Sequence, residues 1–266
     1  MTAASLSLIA VLCYLSSAGF IAKLSSSNTL ATTARGFLFA LIPAALLTHA
    51  IALQLHVYSD AGLNFGIFNL ASLVALCISG MLAVLLIWYP VNSLGVAIYP
   101  LAAVFVAIAQ WFPSQRLLQN SPIITQLHIA LSIFSYSLLA IAVLQAIYLA
   151  VAHHRLKSHR PILNFLPPLS TMESLLFQLT GVAFALLTAS LILGGTAIND
   201  IGEQHLAHKI VFSVLAWLVF ATLLIGRWRY HWRGHRAVKY VCAGFVLLAV
   251  GFFGSKIVLE LILQRA

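Results

Sequence analysis

The chain alternates long apolar runs with short polar breaks. A helix needs roughly 20 apolar residues to cross the hydrocarbon core of a bilayer, and such runs recur at residues 3–23, 35–57, 66–87, 91–111, 124–152, 175–198, 208–229 and 237–262. Backbone groups in lipid must be satisfied within their own segment, so each run predicts a helix. The expected fold is therefore all-α: a polytopic bundle of about eight transmembrane helices forming a single domain over residues 1–266. Pro43 and Pro100 fall inside the second and fourth runs and predict kinks. The longest break, residues 153–174, is basic. Pro167-Pro168 interrupts it, and Ser170 and Thr171 precede Glu173 as candidate caps for the next helix.

Composition sharpens this picture. The 266 residues are 62% hydrophobic and 7% charged, against about 25% charged in an ordinary soluble domain. That is too little charge to cover a water-facing surface. The net charge of +9 would suggest nucleic acid in a soluble protein, but here the basic residues lie between apolar runs and read as topology signals. Lys23, Arg35, Arg155, Lys157, Arg160, Arg227, Arg229, Arg233, Arg236 and Lys239 fall on one face, and Arg116, Lys209, Lys256 and Arg265 on the other. The richer face is expected to be cytoplasmic, which places both termini outside the cytoplasm in a multi-pass membrane protein. The basic 153–174 segment then faces anionic lipid. Lys23 follows the first apolar run instead of preceding it, so that run is expected to be a retained helix. Cys13, Cys77 and Cys242 are isolated and suggest neither disulfides nor a thiolate site.

Candidate chemistry rests on histidines. With this topology His49, His56, His128, His205 and His208 gather toward the outer face from three helices. An ionisable group at membrane depth suggests function. For His49 the alternatives are a ligand contact or a hydrogen bond to a neighbouring helix. Asp200 and Glu203 beside His205 and His208 allow an outer metal site. Ion pumping is disfavoured, because no carboxylate lies well inside the first seven helices. Haem needs axial imidazole, an aromatic and apolar pocket and cations for its propionates. Outer histidines, abundant phenylalanine and Arg116, Lys209 and Lys256 match that combination best. Lys256 and Glu260, spaced i, i+4, read either as a mutually neutralising pair or as charge facing the same pocket.

Several stretches resemble the cytochrome c assembly superfamily, the haem-handling membrane proteins of the Ccs and Ccm type, and within it the short HemX-like and YpjD-like branch. They are His208-Lys209, Ala216-Trp217, Gly226-Arg227, Trp232-Arg233-Gly234-His235-Arg236-Ala237, Gly244-Phe245 and Phe253-Gly254-Ser255-Lys256. Pro167-Pro168-Leu169 with Glu173, Gly181 and Leu187-Thr188, and His128 with Ser135-Tyr136, add to the likeness. The resemblance implies His128 as an outer axial ligand and His49 as a transmembrane haem-contact histidine. The resemblance also implies the bacterial inner membrane as the setting and b-type haem as the cofactor, its iron ligated by His128 and either His208 or His49, with Arg116 and Lys209 pairing with propionates. The Trp-rich loop of full synthases is missing, since residues 194–203 contain no tryptophan. A non-enzymatic role in haem handling or cytochrome c biogenesis is expected in place of haem lyase activity. The alternative is an accessory or regulatory subunit of another membrane protein.

Overall fold

The computed structural model describes residues 2–26, 32–59, 62–89, 91–112, 117–118, 122–159, 166–197 and 204–254. Eight helices run through them: α1 (Ala3–Ser26), α2 (Thr32–Val57), α3 (Ile67–Trp88), α4 (Asn92–Trp111), α5 (Ile123–Lys157), α6 (Leu169–Ala197), α7 (Gln204–Tyr230) and α8 (His235–Ala249). All eight contain a segment long and apolar enough to cross a membrane. Pro43 and Pro100 sit within continuous helices.

The basic connection is shorter than the sequence suggests. Helix α5 continues to Lys157, so His153, His154 and Arg155 are helical, and α6 already begins at Leu169. Ser170 and Thr171 therefore lie in the first turn of α6, with Pro167 and Pro168 just ahead of it. The Pro168 carbonyl accepts the Met172 N–H at 3.0 Å. A charged helix end projecting beyond the apolar run keeps its backbone bonds intact, which explains why polarity alone misplaced the boundary. At its far end α8 passes into a π-helical turn, Val250–Gly254, and the expected continuation to residue 262 lies outside the described residues. Three short strands were not expected: β1 (Tyr58–Ser59), β2 (Gly62–Asn64) and β3 (Leu117–Leu118) form an antiparallel sheet in that order.

The chain divides into two compact units, one of residues 1–119 with 163–167, the other of 120–162 with 168–266. In the first, α1 packs on α2 and α4, and α3 packs on α2 and α4. In the second, α5 packs on α6 and α8, and α7 on α6 and α8. Helix α2 shows how the faces divide. Leu47, Ile51 and Leu55, spaced by four, are exposed, while Ala45, His49, Ala52 and Leu53 are buried. Large apolar residues outward and small or polar ones inward is the arrangement lipid selects, because close backbone approach and interhelical hydrogen bonds hold such helices together. In the second unit the core is Leu139, Ala183, Leu187, Ala216, Phe220 and Leu248. The Ser135 hydroxyl donates across it to the Ala183 carbonyl at 2.9 Å.

Candidate functional site

Helix α5 enters the second unit with His128 in its second turn. The ring is half-buried against α6, where His128 Nδ1 lies 2.7 Å from the Ser190 carbonyl oxygen and 3.1 Å from Ser190 Oγ. A carbonyl oxygen can only accept, so Nδ1 carries the proton and Nε2 keeps its lone pair. Among the described residues Nε2 has no hydrogen-bond partner. Metal-ligating histidines show this arrangement: one nitrogen donates to a carbonyl or carboxylate, fixing the tautomer and raising the basicity of the other. Ser190 is held in turn, its hydroxyl sharing a 2.6 Å hydrogen bond with Ser132 one turn along α5. Gly194, one turn beyond Ser190, lets the ring lie close against the helix. A Cβ there would lie 2.8 Å from His128 Cε1 and 2.9 Å from Nδ1.

The rest of this unit is rich in aromatic rings. Tyr136, two turns along α5 from His128, packs edge-on against Phe252 of the π-helical turn, with ring centroids 5.5 Å apart. Phe184 and Trp217 stack at 5.5 Å, and the indole N–H donates to Thr188 Oγ1 at 2.9 Å. Single π-helical turns interrupting α-helices occur frequently at functional sites. Lys209, half-buried, follows His208 at the start of α7. The unit holds the donor types that haem uses: an imidazole whose Nε2 keeps its lone pair, aromatic rings packed on the core, and Lys209 at the start of α7. The side chains of His205 and His208, and the whole of Arg116, Asp200, Glu203, Lys256 and Glu260, lie outside the described residues. Among the described residues no group of three or more metal-ligating side chains forms a metal site.

His49 belongs to the first unit, and its surroundings differ. It is 1% exposed, and both ring nitrogens are engaged: Nδ1 with the Tyr14 hydroxyl at 3.1 Å, Nε2 with Ser72 Oγ at 2.9 Å. His56 Nε2 bonds Gln110 Oε1 at 3.0 Å. Spacing alone identified the histidines but not their partners. The available signal was a spacing of seven shared by His49 and His56, Ser7 and Tyr14, and Ser72 and Ser79, which puts each pair on one side of its helix.

At the opposite end of the second unit, the α7–α8 turn is built around Gly234, whose φ of 57° and ψ of −126° suit only glycine. Its N–H donates to Glu173 Oε1 of α6 at 2.8 Å, and His153 Nε2 of α5 lies 3.9 Å from the same oxygen. Trp232 lies against Gly226, where a Cβ would meet the indole at 2.4 Å. Arg227 donates to the Trp232 carbonyl at 3.3 Å and sits 4.6 Å from the centre of the Phe177 ring. The Trp-Arg-Gly stretch is thus a braced turn, with Arg227 tied into it.

The Cytochrome C assembly protein family model matches residues 2–263. The chain belongs to the cytochrome c assembly protein family. It is 34% identical over 223 residues to the inner membrane protein YpjD of Escherichia coli K12, covering 82% of this chain and 84% of that one. It is also 24% identical over 179 residues to the cytochrome c biogenesis protein CcsA of Chlamydomonas reinhardtii, covering 64% of this chain and half of that longer protein. A CcsA of Guillardia theta matches at 26% over 187 residues. No solved structure matches. Family membership and eight membrane-length helices make the chain a multi-pass inner-membrane protein. In this cytochrome c assembly protein, His128 differs from His49 in having one ring nitrogen without a hydrogen-bond partner among the described residues.

Proposed function

We propose that the chain is a haem-binding, non-catalytic member of the cytochrome c assembly family, acting in haem handling or cytochrome c biogenesis. The observation that carries this reading is the 2.7 Å contact of His128 Nδ1 with the Ser190 carbonyl, which leaves Nε2 as the lone-pair nitrogen. His128 would ligate the iron and His208 would be its partner ligand. Lys209 and Arg116 would neutralise the propionates. Bound haem would supply a redox-active, ligand-exchangeable iron. The chain's own part is to orient His128 through Ser190 and Ser132, and to exclude water with Tyr136, Phe252, Phe184 and Trp217.

His49 is a weaker ligand candidate, because ligation would break one of its two buried hydrogen bonds and orphan a hydroxyl, a cost of about 1–3 kcal/mol. The missing tryptophan loop supports haem binding without thioether formation. The proposed orientation puts the His128 end outside the cytoplasm and the Trp232 turn inside. Purification with and without added haem tests the reading. A Soret band that His128→Ala weakens supports it, and a colourless protein that takes up no haem refutes it. Labelling of single cysteines from either side of intact cells tests the orientation.

A further inference from the structure

Helices α7 and α8 each carry an outward face that changes character along its length. On α7, Leu218, Thr222, Ile225 and Arg229 follow at spacings of four, three and four, and all are exposed. On α8 and its π-helical turn, Lys239, Ala243, Val246 and Val250 follow at the same spacings and are exposed too. Such spacings keep residues on one side of a helix. The Thr222 hydroxyl is satisfied within α7, donating to the Leu218 carbonyl at 2.8 Å. Both strips are therefore lipid-compatible along most of their length and end in a cation at the α7–α8 turn. Arg233 and Arg236 add two exposed cations on the turn and in the first turn of α8. Trp228, 83% exposed, and Tyr230 lie beside them in sequence. Aromatic residues of this kind sit at headgroup level in membranes.

The turn holds its shape without using these charges. The Trp232 N–H donates to the Gly226 carbonyl at 3.2 Å, and the Val238 N–H to the Gly234 carbonyl at 3.2 Å. The Trp232 ring packs on Tyr230 and Tyr240, with centroids 6.4 and 5.1 Å away, and the Arg236 guanidinium lies 5.9 Å from it. Glu173, the one carboxylate among the described residues, is 15% exposed and accepts the Gly234 N–H. Arg229, Arg233, Arg236 and Lys239 form no ion pair among the described residues. A tight turn between spans does not itself require cations, since the comparably short connection at residues 89–91 between α3 and α4 has none. We propose that this edge of the second unit binds anionic phospholipid. Phosphates are drawn to Arg229, Arg233, Arg236 and Lys239, and acyl chains lie along the outward faces of α7 and α8. Arginine suits phosphate because its planar fork matches the oxygens. A free anion or an acidic peptide would use the charges and leave Leu218, Ile225 and Val246 unused. The surface is independent of haem ligation, so it stands or falls apart from the haem reading.

Native mass spectrometry of the full chain, released from detergent containing equal amounts of phosphatidylglycerol and phosphatidylcholine, tests it. Phosphatidylglycerol should be retained several-fold more strongly. Arg229→Gln, Arg236→Gln and Lys239→Gln should each lower its affinity about five-fold, as expected for one cation beside an anionic headgroup layer. Lys23→Gln removes the same charge from the first unit and should change the affinity little. Equal retention of the two lipids by the unaltered protein overturns the proposal, as does a loss in Lys23→Gln as large as in the turn variants. Two further readings need no variant. Phosphatidylglycerol with six-carbon chains should bind many-fold more weakly than the long-chain lipid, and inorganic phosphate should not displace the latter. Chain-length independence, or displacement by phosphate, would mean that the turn takes a free anion and would contradict the lipid surface.

Discussion

His128 and Ser190, on adjacent helices of the second unit, meet through a ring nitrogen and a backbone carbonyl 2.7 Å apart. The carbonyl belongs to the main chain, so no side-chain substitution at position 190 removes it. The Ser190 hydroxyl, 3.1 Å from the same nitrogen and bonded to Ser132, is a second restraint that substitution can remove. Ser190→Ala should therefore leave the ligating tautomer in place but loosen the ring. Losing a partner of this kind typically weakens metal binding about 10–100-fold. With the carbonyl retained, haem affinity should fall toward the lower end of that range. A haem titration followed by absorption checks this, and an unchanged affinity would show that the hydroxyl restrains nothing.

Gly194 makes room for the imidazole. With a Cβ placed 2.8 Å from Cε1, Gly194→Ala forces the ring or the helix to give way, at a cost of about 1–3 kcal/mol for overpacking. The expected result is a lower melting temperature together with weaker haem binding. Gly181→Ala on the same helix, where nothing lies within 4 Å of a Cβ, should show neither effect.

The turn at Gly234 should fail through backbone strain and not through crowding. A Cβ there meets nothing closer than 3.5 Å, but the positive φ with ψ of −126° is a conformation other residues rarely adopt. Gly234→Ala should cost about 1–3 kcal/mol. Glu173→Ala should cost a similar amount by orphaning the Gly234 N–H. Glu173→Gln keeps an accepting oxygen and should be milder. Chemical unfolding in detergent orders the three, and Glu173→Gln as damaging as Glu173→Ala would show that the charge matters more than the hydrogen bond.

In the first unit, His49→Ala would leave the Tyr14 and Ser72 hydroxyls without their partner, at about 1–3 kcal/mol for each. The loss should shrink in His49→Ala combined with Tyr14→Phe, because the orphaned phenol is then gone. A thermodynamic cycle over those two positions measures the coupling. Simple additivity would mean that the contact between Tyr14 and His49 contributes nothing to stability.

Much of this architecture could be read from hydrophobic length alone, because lipid imposes one rule on every span. All eight helices lie where apolar runs are long enough. Their ends were harder to place. His153 to Lys157 are polar and yet helical, and nothing in the composition separates a projecting helix from a loop. The strands at Tyr58–Ser59, Gly62–Asn64 and Leu117–Leu118 were hidden because such short pairings carry no periodicity. Sequence singled out His49 and His128 equally, as imidazoles at membrane depth. Only their neighbours distinguish them: two hydroxyls use both nitrogens of one, while a backbone carbonyl engages a single nitrogen of the other. Ser190, Ser132 and Gly194 carry no signal of their own, since serine and glycine are common wherever membrane helices approach closely.

Chemical rescue tests most directly the proposed binding of haem iron by His128 Nε2. His128→Gly, reconstituted with haem and titrated with free imidazole, should lack the Soret band of the unaltered protein and recover it as imidazole fills the space. Haem bound equally well by His128→Gly without imidazole would contradict the account, as would a band that added imidazole fails to restore.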